Sequence, residues 1–143
     1  MFPRATMQKC GKNITVVSRI ADMNTVFKTV FLDLKKIMMV YFHSLIVVED
    51  EVDNLYLNTR YIMKNKKPLY FGGVKIGKSY VSYHLMPIYV FPELLDNISP
   101  ELKKRMQGKS CFNFKKTEKD LLEELGILTK CEFEKYQEAG YID

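Results

Sequence analysis

The first clear pattern along the chain is a stripe of apolar residues at helical spacing. From Thr25 onward, apolar side chains recur every three or four residues, with lysines between them that would face solvent. Asn24 or Thr25 can cap the start, and the pattern ends near His43. We therefore predict one amphipathic helix here, with apolar positions Val26, Phe27, Val30, Phe31, Leu34, Met38 and Tyr41.

The middle of the chain changes to the short apolar runs and the two-residue period of β-strands. Leu55, Leu57 and Thr59 alternate with side chains that would face the other way. Gly77-Lys78 predicts a tight hairpin turn between the strands at 69–76 and 80–86. Gly72-Gly73 predicts a bulge or a close backbone approach within a strand. The predicted strands cover residues 45–48, 55–59, 69–76, 80–86 and 110–115.

The second half of the chain carries start and stop signals for helices. Ser99 is a suitable N-cap, Pro100 suits the first helical position, and Gly108 is predicted to end this short helix. Capping-box spacings that begin at Thr117 and Thr129 predict two closing helices. A linker is predicted between Pro87 and Pro92. Gly126 is predicted to separate the two closing helices, and Gly140 to end the second one.

This order of elements predicts an α+β fold. An antiparallel sheet of about four to five strands would be packed by the N-terminal and C-terminal helices. We assign residues 23–143 to a single domain, and residues 1–22 to a basic, loosely ordered extension. A targeting segment is the alternative for that extension, because residues 1–21 are basic and contain no acidic residue.

The location of the charge argues against a nucleic-acid partner. The chain has a formal net charge of +5, but four of its basic residues lie within residues 1–21, which contain no acidic residue: Arg4, Lys9, Lys12 and Arg19. The rest of the chain is therefore close to neutral, whereas nucleic-acid binders concentrate basic residues on the folded domain.

The cysteines and the hydropathy indicate an intracellular protein. Cys10, Cys111 and Cys131 are odd in number and widely spaced, so they predict neither a disulfide framework nor a zinc site. Residues 37–48 form the longest mostly apolar stretch, which is shorter than a membrane span requires. We therefore expect a cytoplasmic location and no membrane partner.

Strand alternation places a set of polar side chains on one side of the predicted sheet. Tyr80, Ser82 and His84 share one face of their strand, and Cys111 and Asn113 share one face of theirs. If the intervening apolar residues face the helices, these polar residues form a surface that could bind a ligand. Together with Lys109, they are our candidate ligand-binding residues.

Two interpretations of this surface remain open. A nucleophilic site would use Cys111 as the thiolate, His84 as its base and Asn113 as the orienting group. In the alternative, Cys111 is a small buried side chain and His84 an ordinary hydrogen-bonded strand residue. We favour the second interpretation and assign no catalytic residue, because the middle of a strand offers nothing to activate a thiol.

A basic patch and a glycine-lysine segment are weaker candidates. Lys103, Lys104, Arg105 and Lys109 could bind an anion or nucleic acid, although basic residues also suit the end of a helix, which we favour. The segment KIGK at residues 75–78 lacks the spacing of a phosphate-binding loop.

An acidic cluster is the candidate metal site. Glu49, Asp50, Glu51 and Asp53 follow the first predicted strand and could hold a hard cation such as iron. They lack the ligand spacing of an EF-hand, and a charged turn is the simpler interpretation.

Residues 70–116 resemble the YdhG-like family, a bacterial domain of unknown function. The resemblance is carried by an aromatic-glycine strand that leads into "YVSYHLMP" and by "GKSCFNF" after a short helix. The helices before and after this stretch are similar in order to those of the family. The resemblance implies a compact α+β fold, distantly frataxin-like, and some members are discussed as intracellular iron chaperones.

The chain departs from a frataxin-type iron carrier in its first helix. Such a protein carries an acidic ridge there, whereas this helix has Asp22 and Asp33 against Lys28, Lys35 and Lys36.

Two functions from different classes follow. The first is a non-enzymatic binding or carrier module for a metal, held by the acidic cluster or by His84, or for a protein partner. The second is a small-molecule-binding or enzymatic domain that uses the face around His84 and Cys111. We favour the first.

Overall fold

A computed structural model of the protein describes the backbone of residues 11–143 and the side chains of residues 25–143. The first helix, α1, spans Gly11–Met39, so the predicted start at Asn24 or Thr25 is wrong. No proline or glycine interrupts residues 12–24, and the helix therefore continues through them. Residues 1–10 of the predicted extension lie outside the described residues, and residues 11–22 belong to α1.

A six-stranded antiparallel sheet follows, in the spatial order β1-β2-β3-β4-β6-β5. This confirms the predicted α+β class. The sheet has one strand more than the four to five predicted, and the strand that was missed, β5, has only two residues. Such a short strand has no recognisable period in the sequence. The strands are β1 Ile46–Asp50, β2 Asn54–Ile62, β3 Pro68–Ile76, β4 Val81–Leu85, β5 Met106–Gln107 and β6 Cys111–Phe114.

The remaining helices correct several predicted boundaries. The predicted linker between the two prolines instead forms α2, Met86–Val90, and a 3-10 turn over Pro92–Asn97. The next helix, α3, spans Pro100–Lys103, and Ser99 caps it as predicted. Gly108 does not end this helix, since it occupies the turn between β5 and β6 with a positive φ of 77°.

A single closing helix, α4, spans Lys119–Glu138 in place of the two predicted ones. Gly126 lies inside this helix and does not end it, and a Cβ at this position would meet no neighbouring atom within 4 Å. The Thr129 hydroxyl donates to the Leu125 carbonyl 2.8 Å away, as a threonine inside a helix does, and does not cap a new helix. Gly140, with a φ of 87°, follows the end of α4 as predicted.

The core lies between one face of the sheet and the helices. Val30, Leu34 and Met38 of α1 are buried, as are Leu125 and Tyr136 of α4. The sheet contributes side chains at alternate positions, which confirms the period-two pattern of β2, β4 and β6. These inward residues are Leu55, Leu57, Thr59, Val81, Tyr83, Leu85, Phe112 and Phe114.

The glycine pair of β3 has both of its predicted features. The register between β2 and β3 shifts between Leu57 and Asn58, which marks a bulge beside the pair. A Cβ on Gly72 would lie 2.5 Å from the carbonyl oxygen of His84 and 2.8 Å from the Met38 methyl group. Only glycine therefore fits where β3 passes between β4 and α1.

Among the described residues, no helix has the length and apolar character needed to cross a membrane.

Candidate functional site

The sheet has an open face, opposite the helices, that carries mostly polar side chains. In the register of β4 and β6, Ser82 pairs with Asn113 and His84 pairs with Cys111. The next residue along each strand points into the core, so these four side chains lie together on the other side, as the alternation predicts. The open face comprises Tyr56, Tyr70, Ser82, His84, Gln107, Cys111 and Asn113.

Asn113 is the centre of a hydrogen-bond network on the open face. Its Oδ1 accepts from the Ser82 hydroxyl at 3.0 Å and from the Cys111 thiol at 3.5 Å. Its Nδ2 donates to Oε1 of Gln107 on β5. Asn113 therefore connects three neighbouring strands through side chains, and its own orientation is fixed by three partners.

The Cys111 thiol and the His84 imidazole are both neutral at neutral pH. Burial raises the pKa of Cys111, an effect that a hydrogen bond with Ser82 partly offsets, and burial lowers the pKa of His84. The acceptor of the thiol proton is Asn113 Oδ1 rather than the imidazole. The geometry therefore supports the interpretation of Cys111 as a polar lining residue, not as an activated nucleophile.

Two tyrosines extend the open face toward β2. The rings of Tyr56 and Tyr70 lie 4.6 Å apart between centroids. The Tyr70 phenolic oxygen lies 3.0 Å from the position that a Cβ on Gly73 would occupy, so the ring crosses β3 where that strand lacks a side chain. Burial raises the pKa of Tyr70, with smaller contributions from Tyr56 and Cys111, so its hydroxyl stays protonated. Tyr70 had no distinguishing signal in the sequence beyond its position next to the glycines.

A cleft of about 690 Å³ adjoins the open face at the β5–β6 edge. Asn113 and Gln107 belong both to its lining and to the hydrogen-bond network, so the cleft and the open face are continuous. The complete lining is Tyr80, Lys104, Arg105, Met106, Gln107, Asn113, Lys115, Lys116 and Glu118.

One ion pair forms part of the cleft wall. Nε and Nη2 of Arg105 donate to the two carboxylate oxygens of Glu118 at 2.7 and 2.6 Å. This bidentate pair raises the pKa of Arg105 and lowers the pKa of Glu118, so both groups are charged at neutral pH. The pair connects the end of α3 to the residue before α4, and it orients the Arg105 side chain along the wall.

The predicted ligand-binding residues divide between these two surfaces. Ser82, His84, Cys111 and Asn113 lie on the open face, while Tyr80 lines the cleft. Lys109 is not part of the cleft lining; its ammonium group lies 5.7 Å from the ring centroid of Tyr89. The cleft lining has seven further residues, of which Lys104 and Arg105 belong to the basic patch noted in the sequence. The other five are new: Met106, Gln107, Lys115, Lys116 and Glu118.

The acidic cluster is dispersed in the structure. Glu49 and Asp50 lie in β1 rather than in a turn, and they have different partners, since Asn54 donates to Glu49 and Lys35 pairs with Asp50. Glu51 and Asp53 lie outside the strands on either side of the β1–β2 turn. Within the described part of the chain, no three His, Cys, Asp or Glu side chains are grouped closely enough to hold a metal ion.

We compared the chain with protein-family models, with curated proteins and with solved structures, and found no match. The YdhG-like resemblance therefore stays a prediction, and the function has to be inferred from the geometry of the open face and the cleft.

Proposed function

We propose that this protein is a non-catalytic module that binds a small polar molecule on the open face and in the adjoining cleft. The observation that carries the proposal is the network around Asn113, which holds donors and acceptors of three strands in fixed positions beside a cleft. Preformed polar groups at the rim of a concave surface are typical of ligand sites, because side chains that are already ordered lose little conformational entropy when a ligand binds.

The protonation states support binding rather than catalysis. The Cys111 thiol has a raised pKa and the His84 imidazole a lowered one, so neither is prepared for nucleophilic or acid chemistry at neutral pH. Both can serve as neutral contacts for a ligand that lies across β4 and β6.

An iron-carrier role receives less support from the described residues. The carboxylates between residues 49 and 53 have separate partners, and the resemblance to the YdhG-like family is the remaining reason to consider iron. The proposed cytoplasmic location agrees with the free thiols of Cys111 and Cys131.

A thermal-shift experiment tests the proposal on the full chain. The probes are a panel of amino acids, carboxylic acids, sugars, sugar phosphates, nucleosides and nucleotides, since a ligand that binds the folded state raises Tm. We expect at least one class to raise Tm by a few degrees, and Asn113→Ala to remove most of that rise. Asn97→Ala is the matched control, because Asn97 is an exposed residue at the end of the 3-10 helix and belongs neither to the open face nor to the cleft lining.

If no compound changes Tm, or if Asn113→Ala keeps the full rise, the open face is an ordinary solvated surface and the proposal is wrong.

A further inference from the structure

The cleft beside the open face has a strong excess of positive charge. Its lining includes three lysines, one arginine and a single carboxylate, that of Glu118. Arg105 and Glu118 compensate each other through their bidentate pair. Among the side chains that the structure describes, no carboxylate forms an ion pair with Lys104, Lys115 or Lys116. Lys116 also interacts electrostatically with Glu118 and helps to lower its pKa, so this carboxylate is shared between Arg105 and Lys116. Four basic residues against one carboxylate leave the cleft with an excess of three positive charges.

The three lysines come from different parts of the fold. Lys104 directly follows α3, whereas Lys115 and Lys116 follow β6. The Arg105 carbonyl accepts from the Asn113 amide at 2.8 Å, and this backbone bond keeps the end of α3 next to β6. Folding thus brings three lysines to the lining of one cleft, and a bound anion would reduce the repulsion among their like charges.

The size and the polar lining of the cleft indicate a ligand larger than a free inorganic anion. A volume of about 690 Å³ lies within the range of small-molecule sites, roughly 300–1,000 Å³. Tyr80 adds an aromatic ring to the wall, and Gln107 and Asn113 add amides that can bond a polar ligand. A ligand of this size would place its anionic group among the lysines and its body toward the open face.

The number of charges favours phosphate over carboxylate. A phosphate monoester carries about 1.5 to 2 negative charges at neutral pH and has three strong acceptor oxygens, whereas a carboxylate carries one charge. Three lysines around one cleft match the larger charge.

We propose that the cleft binds the phosphate group of a small phosphorylated molecule, with Lys104, Lys115 and Lys116 as the phosphate contacts. This inference rests on the proposed function and names the chemical class of its ligand. The near-neutral charge of the chain after residue 21 favours a small molecule over nucleic acid as the source of the phosphate.

Calorimetric titration of the full chain tests this inference with three probes: inorganic pyrophosphate, AMP and adenosine. We expect pyrophosphate and AMP to bind and adenosine to bind at least about tenfold more weakly, because charge-assisted bonds to the phosphate would be lost. Affinity for AMP should also fall as salt is added.

A charge-matched pair of variants locates the contacts. K104Q/K115Q should weaken AMP binding by about tenfold or more. K28Q/K130Q removes the same number of charges from exposed positions of α1 and α4 and should leave the affinity unchanged. All four lysines are exposed, so circular dichroism should show folded variants in both cases.

Four results would overturn the inference. If adenosine bound as tightly as AMP, the phosphate group would contribute nothing to binding, although the protein would still bind a small molecule. Failure of both AMP and pyrophosphate to bind at millimolar concentration would exclude a phosphate site, while the metabolite panel and Asn113→Ala would still report on the wider function. Equal weakening by K28Q/K130Q, or much tighter binding of a single-stranded RNA oligomer, would indicate general attraction of polyanions.

Discussion

The phenolic oxygen of Tyr83 lies 2.6 Å from the hydroxyl oxygen of Thr129, and both side chains are fully buried. This contact joins the central strand β4 to α4. The Thr129 hydroxyl already donates its hydrogen to the Leu125 carbonyl, so Tyr83 must be the donor in the buried pair. The open face lies on the reverse side of β4, and this bond therefore helps to hold the strand that positions Ser82 and His84.

The direction of this bond predicts an order of stability for two conservative variants. Thr129→Val leaves the buried Tyr83 hydroxyl without an acceptor and should cost about 1–3 kcal/mol of unfolding free energy. Tyr83→Phe leaves Thr129 bonded to Leu125 and should cost about 1 kcal/mol or less. Urea denaturation followed by tyrosine fluorescence measures both values. A larger loss in Tyr83→Phe would mean that the donor assignment is wrong.

The glycines of β3 and α4 should respond oppositely to alanine. Gly72→Ala places a Cβ 2.5 Å from the His84 carbonyl oxygen, and we expect a loss of about 2 kcal/mol or more. Gly126→Ala adds a Cβ in open space inside a helix and should stabilise the protein by about 0.5–1 kcal/mol. Thermal unfolding of the two variants provides the comparison. A neutral Gly72→Ala would contradict the close approach of β3 and β4.

Glu132 should make the protein less stable as pH rises toward neutrality. Its carboxylate is fully buried without a hydrogen-bond partner among the described residues. Burial and, to a smaller extent, Glu93 raise its pKa to about 7 against the opposing effect of Lys135. The folded state therefore keeps a proton that the unfolded state loses above about pH 4.5, so this contribution is full below that pH and is lost as pH rises through about 7.

Glu132→Gln tests this pH dependence. The variant should remove a loss of up to about 3 kcal/mol between pH 4.5 and pH 8 and should be more stable than the parent at pH 8. Glu134→Gln, at an exposed position of the same helix, should leave the slope unchanged. Denaturation midpoints at several pH values measure the slopes. Parallel curves for all three proteins would show that Glu132 is not the responsible group.

Cys111 should react slowly with alkylating reagents. Because burial raises the pKa of its thiol, the thiolate fraction at pH 7 is smaller than in an ordinary exposed cysteine. Peptide mass spectrometry after brief iodoacetamide treatment separates Cys111 from Cys10 and Cys131. We expect Cys111 labelling to rise at a higher pH than that of an ordinary exposed cysteine. Rapid labelling at pH 7 that is lost in His84→Ala would instead support a nucleophilic site.

The sequence predicted the side of the sheet on which the polar residues lie, because alternation along β4 and β6 depends only on the two-residue period. It did not predict the cleft. Lys104 and Lys115 are separated along the chain, and only the packing of the end of α3 against β6 brings them together. Gly126 and Thr129 wrongly predicted a break between two helices. One continuous helix forms because the apolar stripe that buries Leu125 and Tyr136 stabilises it by more than a single glycine destabilises it.

The acidic residues of the predicted metal site are not grouped in the described structure, for a related reason. Glu49 and Asp50 are neighbours in sequence, but consecutive strand residues point to opposite sides, and each has its own partner. A group of acidic residues in sequence therefore did not become a group in space.

The most direct test of the account is an amide chemical-shift titration of the ¹⁵N-labelled full chain with the panel compound that raises Tm most. We predict saturable shifts at residues 80–84, 104–107 and 111–116, with the amides of α1 unchanged. These residues form the open face and the cleft, whereas α1 packs on the opposite side of the sheet. Shifts confined to the helices, or shifts without saturation, would contradict a binding site on the open face.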